Sequence, residues 1–107
     1  MYVKVLTFEL SHADRSDDGY AAFVTRFADR NVRALRQFGL LDGYLVRTSE
    51  DTIMTVNFYE SAEGAHLAFS TLTGTQRYAD AMGLTLLSHQ EGPATDLPLS
   101  MHEAHAR

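Results

Sequence analysis

Hydrophobic and polar positions along the chain predict four strands separated by helices. Between residues 17 and 38, apolar side chains recur every three or four positions, which predicts a helix of about six turns. Ser16 is placed to cap the start of this helix, and Gly39 is placed to end it. Four apolar-rich runs bounded by polar turns are typical of strands and span 2–10, 41–48, 52–59 and 84–89.

A second helical region follows the third strand in two pieces. Ser61 is predicted to cap a helix that Gly74 interrupts, and Thr75 is predicted to cap a shorter helix that ends at Gly83. Periodicity is lost after residue 92. The chain therefore divides into one predicted domain, 1–92, and a C-terminal tail, 93–107.

The order of these elements is strand, helix, strand, strand, helices, strand. This βαββαβ order predicts an α+β, ferredoxin-like fold, in which a four-stranded antiparallel sheet carries helices on one face. The short polar turn between the second and third strands predicts that they form an antiparallel hairpin.

Both faces of the predicted sheet carry apolar side chains. In the first strand Leu6 and Phe8 face one way, while Val3 and Val5 face the other. Helices on one side bury one face only, so the opposite face needs another cover. We expect a second copy of the chain to cover it, giving a homodimer through the sheet faces. The alternative is a monomer with a large exposed apolar face.

Composition and charge exclude several classes of protein. The 107 residues include no cysteine, which excludes disulfides, a thiol nucleophile and cysteine-bound metal, and fits a cytoplasmic location. The net charge of −5 disfavours nucleic acid as a partner. No apolar run is long enough to span a membrane, and the first residues do not resemble a signal peptide.

Two segments carry a family resemblance. The segment VNFYESAE, residues 56–63, joins the third strand to the following helix, and QRYAD, residues 76–80, lies in the last predicted helix. They resemble the strand-to-helix junction and the second short helix of the antibiotic biosynthesis monooxygenase-like group of the dimeric α/β-barrel superfamily. The likeness covers roughly 2–92.

The resemblance implies a pocket between the sheet and its own helices. It also implies a cofactor-independent monooxygenase of aromatic, phenolic or polyketide-type substrates, since the group includes such enzymes. Its haem-degrading members use an Asn on the first strand and a Trp on the second helix, whereas this chain has Thr7 and Phe8 on that strand and no Trp. Two alternatives stay open: a non-catalytic small-molecule-binding or stress-related dimer, and a polyketide cyclase or isomerase.

Four polar residues are candidates for catalysis in such a pocket. His66 lies on the stripe of the second helix and is a candidate general base. Asn31 lies between Phe27 and Leu35 on the buried side of the long helix. Asn57 on the third strand faces either the pocket or the dimer interface, and the Tyr78 hydroxyl is a candidate hydrogen-bond donor.

Aromatic side chains are candidates for lining the pocket, although each also suits a core or an interface. The predicted substrate-binding residues are Phe23, Phe27, Tyr44, Phe58 and Phe69. His102 and His105 in the tail lack the spacing of a helical zinc motif, so we expect no metal and no bound cofactor. Asp42 and Gly43 are interpreted as a strand entry or bulge.

Overall fold

The computed structural model describes residues 1–68 and 72–97, leaving aside the side chains of residue 32 and of 72–75. The predicted positions of Phe69, His102 and His105 fall outside these residues. The elements in chain order are β1 (Tyr2–Leu10), a short 3-10 helix (His12–Asp14), α1 (Asp17–Arg36), β2 (Leu40–Arg47), β3 (Thr52–Tyr59), α2 (Ala62–Ala68), α3 (Leu72–Ala81) and β4 (Leu84–Pro93).

The four strands form one antiparallel sheet in the order β2-β3-β1-β4. The helices pack on one face of this sheet, so the predicted ferredoxin-like α+β fold is confirmed. In β1, Leu6, Phe8 and Leu10 are buried toward the helices. They join Phe23 of α1 and Ile53 of β3 in one apolar core between the two layers.

Capping serines at the helix starts and glycines after the helix ends lie largely where the sequence predicts them. The Ser16 hydroxyl accepts a hydrogen bond from the Gly19 amide at 3.1 Å and caps α1. Gly39 has a φ of +82° and Gly83 a φ of +73°, the left-handed conformation in which glycine commonly follows a helix. Ser61 likewise accepts a hydrogen bond from the Gly64 amide at 3.2 Å at the start of α2.

Two predicted boundaries are wrong. The break at Gly74 and the cap at Thr75 do not occur, because α3 begins at Leu72 and both residues lie inside it. A single glycine costs a helix only about 1 kcal/mol, which packing against the sheet offsets. β4 continues past His89 to Pro93 because β1 pairs with it along its whole length, despite a bulge after Thr7.

The second face of the sheet is apolar and is left bare by the helices of this chain. Val5 pairs with Val56 across β1 and β3, and Val56 pairs with Tyr44 of β2. Tyr44 is 54% exposed, and Phe58 and Val56 are partly exposed. We refer to the surface formed by Val5, Tyr44, Met54, Val56 and Phe58 as the open sheet face. In the described residues, no helix has the length and apolar character needed to cross a membrane.

Candidate ligand-binding cavity

A cavity of about 290 Å³ lies between α1 and β2, on the helix-covered side of the sheet. Most of its wall is apolar, with Phe27 and Leu35 from α1 facing Leu40 and Leu45 from β2. The polar groups of the wall are Asn31, Arg36, Asp42, Tyr44 and Asn57. An apolar cavity with a few polar groups is the usual form of a small-molecule site.

Asn31 brings a carboxamide from α1 into this wall. Its side chain is 6% exposed, and its Oδ1 accepts a hydrogen bond from the Tyr78 hydroxyl of α3. Burial raises the pKa of Tyr78 well above its ordinary value, and the Asn31 hydrogen bond opposes this only in part. Tyr78 therefore stays protonated at neutral pH and holds the Asn31 carboxamide in one orientation, leaving the Asn31 amide group available to a ligand.

Asn57 brings a second carboxamide into the wall from β3. It is 8% exposed and lies on the helix-facing side of the sheet, which resolves the alternative that the sequence left open. Its partner on β2 is Gly43, where a Cβ atom would lie only 2.9 Å from the Asn57 Oδ1. The absence of a side chain at Gly43 therefore makes room for the Asn57 carboxamide.

The strand β2 is bulged where it meets the cavity. The pairing register shifts between Leu40 and Asp42, as the interpretation of Asp42 and Gly43 as a bulge predicts. The Asp42 carboxylate accepts hydrogen bonds from the Gly43 amide at 3.0 Å and from the Tyr44 hydroxyl at 2.9 Å. The wall also includes Arg36, together with Asp42 and Gly43, which the sequence indicated as a strand entry or bulge rather than as part of a site.

The aromatic residues predicted to line the pocket lie in different parts of the fold. Phe27 contributes its ring to the cavity wall, whereas Tyr44 borders the cavity from β2 and its ring lies on the open sheet face. Phe23 is fully buried in the core beside it, with its ring centroid 5.6 Å from that of Phe27. Phe58 lies on the open sheet face because neighbouring residues of a strand point to opposite sides, and its neighbour Asn57 points to the cavity. Its ring meets that of Tyr44 edge-on at 6.3 Å.

His66 lies apart from the cavity, at the β4 edge of the sheet. Its Nε2 donates to the Glu91 Oε1 at 2.8 Å, and the His89 Nε2 donates to the Glu91 Oε2 at 2.6 Å. The Tyr2 hydroxyl donates to the same Glu91 Oε1 at 2.7 Å. The residue predicted as a general base is therefore part of a surface network around Glu91, and it does not join Asn31, Asn57 and Tyr78.

The Glu91 carboxylate at the centre of this network is strongly acidic. Partial burial opposes its ionisation, but hydrogen bonds from Tyr2, His66 and His89 and the nearby charge of Lys4 outweigh that effect and lower the pKa of Glu91 to about 2. In the described residues, no cluster of three or more His, Asp or Glu side chains is arranged to hold a metal ion.

Two hydroxyl groups of β3 are buried without a hydrogen-bond partner, those of Thr55 and Tyr59. An unpaired buried hydroxyl costs about 1–3 kcal/mol, so most proteins avoid it. Both side chains lie on the same face of β3 as Asn57, one on either side of it. No sequence signal distinguishes an unpaired buried hydroxyl from a paired one.

The fold shows which known proteins the chain is similar to. Its ferredoxin-like fold is similar to that of solved structures that include a cofactor-independent oxygenase and a protein provisionally named an antibiotic biosynthesis monooxygenase. No family model and no curated protein matches the sequence. The similarity is therefore one of fold.

Three solved structures illustrate this similarity. The cofactor-independent oxygenase SnoaB from Streptomyces nogalater is 16% identical with a TM-score of 0.64, and the alignment covers 91% of this chain and 95% of SnoaB. A dimeric ferredoxin-like protein from an uncultured marine organism is 11% identical, with a TM-score of 0.62 and coverage of 90% and 97%. A protein from Deinococcus radiodurans, provisionally named an antibiotic biosynthesis monooxygenase, is 15% identical, with a TM-score of 0.61 and coverage of 91% and 95%.

Proposed function

We propose that this protein is a homodimeric, cofactor-independent oxygenase that binds an aromatic phenol or a polyketide-type substrate in the cavity. The observation that carries the proposal is the pair of carboxamides, Asn31 and Asn57, which enter one apolar cavity from opposite layers of the fold. The fold similarity to a cofactor-independent oxygenase supports the same reaction class.

In the proposed reaction, the substrate supplies all the electrons. An anthrone loses a proton from its ring CH₂ to water to form an enolate, which reacts with dioxygen and takes a proton back from water to give a hydroperoxide at that carbon. Loss of water then leaves a carbonyl group, so one CH₂ and one O₂ become one C=O and one H₂O. Asn31 and Asn57 would orient the ring and donate hydrogen bonds to the oxygen atom on which the enolate charge develops.

The homodimer in this proposal is supported by the open sheet face. Two sheets packed face to face through this surface would remove its apolar side chains from water. The comparison with a ferredoxin-like protein described as dimeric supports the same assembly. The cavity lies on the other side of the sheet, so each subunit would keep its own cavity.

A second function is favoured by one specific observation. The described residues of the cavity wall include no histidine, and His66 lies at the β4 edge. A dimer that binds a small aromatic molecule without transforming it, or that cyclises or isomerises it, would retain the same wall. Oxygen uptake separates these alternatives from an oxygenase.

The test is an oxygen-electrode assay of the purified protein with a panel of hydroquinones and anthrones, each corrected for its spontaneous oxidation. An oxygenase consumes oxygen with at least one substrate, and Asn57→Ala lowers kcat/KM by roughly 100-fold, the range found when one donor to a developing oxyanion is removed. Gln37→Ala, an exposed side chain beyond the end of α1, is the matched control. Binding without oxygen uptake would favour the second function.

A further inference from the structure

Three polar side chains follow one another along the buried face of β3. Thr55 is 2% exposed, Asn57 8% and Tyr59 0%, and each is separated from the next by one residue that points to the open sheet face. Asn57 reaches the cavity, whereas the hydroxyls of Thr55 and Tyr59 have no hydrogen-bond partner. A polar row of this kind in an apolar layer is unusual, because buried polar groups are normally paired.

Tyr59 lies on the same face of β3 as Asn57, next to residues of the cavity wall. Its partner on β2 is Leu40, which is part of that wall, and Asn57 precedes it by two residues on the same face. From the helix layer, Tyr78 donates a hydrogen bond to Asn31 of the wall, and the nearby Tyr59 makes a minor contribution to the raised pKa of Tyr78. The neighbours of Tyr59 on β2 and β3, Leu40 and Asn57, are therefore both part of the cavity wall.

We propose that Tyr59 is a ligand-binding residue, whose hydroxyl donates a hydrogen bond to a carbonyl or phenolate oxygen of an aromatic ligand at the inner end of the cavity. The ligand oxygen would supply the acceptor that the hydroxyl lacks in the empty protein.

The Tyr59 hydroxyl is suited to act as an uncharged hydrogen-bond donor. Burial raises the pKa of Tyr59 to about 12, so the phenol keeps its proton at neutral pH. The inference rests on the part of the proposed function that places an oxygen-bearing aromatic ligand in the cavity. It does not depend on whether that ligand is oxidised.

Two soluble probes of matched shape test the proposal. Anthraquinone-2-sulfonate carries ring carbonyl oxygens, and anthracene-2-sulfonate has the same three rings without them. Binding of both probes is measured by calorimetry with the wild-type protein and with Tyr59→Phe, which removes the hydroxyl and keeps the ring. We expect Tyr59→Phe to weaken anthraquinone binding about tenfold, the loss of one hydrogen bond, and to leave anthracene binding unchanged.

The stability of the ligand-free protein supplies a second measurement, in which Tyr59→Phe is not expected to cause a loss. Because the hydroxyl has no partner, Tyr59→Phe should leave the denaturation midpoint unchanged or raise it. Tyr78→Phe is the matched control, since it removes a buried hydroxyl that donates to Asn31 and should lower the midpoint. Lower stability of Tyr59→Phe would show that the hydroxyl is paired inside the protein, which overturns the inference.

The remaining outcomes separate this inference from the proposed function. Equal affinity of Tyr59→Phe and wild type for anthraquinone overturns the inference and leaves the oxygenase proposal standing. Failure of the wild-type protein to bind either probe overturns both. Selective loss of anthraquinone binding in a protein that consumes no oxygen with any substrate supports the inference and overturns the oxygenase.

Discussion

Lys4 of β1 and Glu91 of β4 are cross-strand partners that place opposite charges 3.7 Å apart, Nζ to Oε2, beneath α2. The Lys4 side chain is 1% exposed, and its ammonium donates a hydrogen bond to the Ala65 carbonyl of α2 at 3.1 Å. A buried cation therefore connects two strands and a helix. Burial lowers the pKa of Lys4, and the charge of Glu91 opposes this. The buried ammonium group therefore depends on Glu91 as its counter-charge.

Removing the charge of Glu91 should destabilise the fold. Glu91→Gln keeps the shape of the side chain but deprives Lys4 of its counter-charge and weakens the hydrogen bonds from His66 and His89. We expect the free energy of unfolding to fall by about 1–3 kcal/mol, measured by urea denaturation at pH 7. The control is Glu63→Gln, an exposed glutamate in the first turn of α2, which should change it by less than about 0.5 kcal/mol. Equal midpoints for the two variants would contradict the prediction.

The same carboxylate predicts how stability depends on pH. Its pKa is about 2 in the folded protein against an ordinary value of 4.5, so the stabilisation is complete above pH 4.5. It is lost as the pH falls from 4.5 to 2, because the unfolded chain binds the proton first. The difference in thermal midpoint between wild type and Glu91→Gln should therefore shrink across this range and vanish near pH 2. A difference that stays constant from pH 7 to pH 3 would show that another group carries the effect.

A side chain at Gly43 should impair the cavity. In Gly43→Ala the new Cβ would lie 2.9 Å from the Asn57 Oδ1, so the carboxamide must shift. We expect the affinity for anthraquinone-2-sulfonate to fall about tenfold, equivalent to one lost hydrogen bond. Gly92→Ala is the matched control, because it adds the same methyl group to a strand where no atom lies within 4 Å of it. Similar affinities for the two variants would argue against the proposed role of Asn57.

Charge on the open sheet face should dissociate the proposed dimer. Val56 lies at the centre of this face, between Val5 of β1 and Tyr44 of β2. Sedimentation of the wild-type protein should give twice the 11.9 kDa mass of one chain, and Val56→Asp should give the single-chain mass. Leu67→Asp, which changes an exposed apolar residue of α2, should remain dimeric. A wild-type protein that sediments as one chain at micromolar concentration would contradict the dimer.

The strands and their two faces were predictable because side chains of a strand alternate strictly. This alternation placed Leu6 and Val5 on opposite sides, and the helical period placed Asn31 beside Phe27 on the buried side of α1. The break at Gly74 was wrong because tertiary packing overrides the weak preference of one glycine.

The cavity itself was not predictable from local patterns. It depends on how α1 packs over β2, on the bulge before Asp42, and on the missing side chain at Gly43. The position of His66 depends on contacts with Tyr2 and Glu91, which lie 64 and 25 residues away along the chain. The periodicity of the sequence assigns a residue to one face of a helix or strand. Its neighbours on that face are decided by contacts between residues that are far apart in the sequence.

The most direct test of the proposed oxygenase follows the fate of the oxygen atoms. Anthrone is incubated with the protein under ¹⁸O₂ in the presence of a metal chelator, and the anthraquinone product is analysed by mass spectrometry. The proposal predicts one ¹⁸O atom per product molecule, formed well above the spontaneous rate and reduced to near that rate in a variant with both Asn31→Ala and Asn57→Ala. Product formation at the spontaneous rate, or at the same rate in that variant, would contradict it.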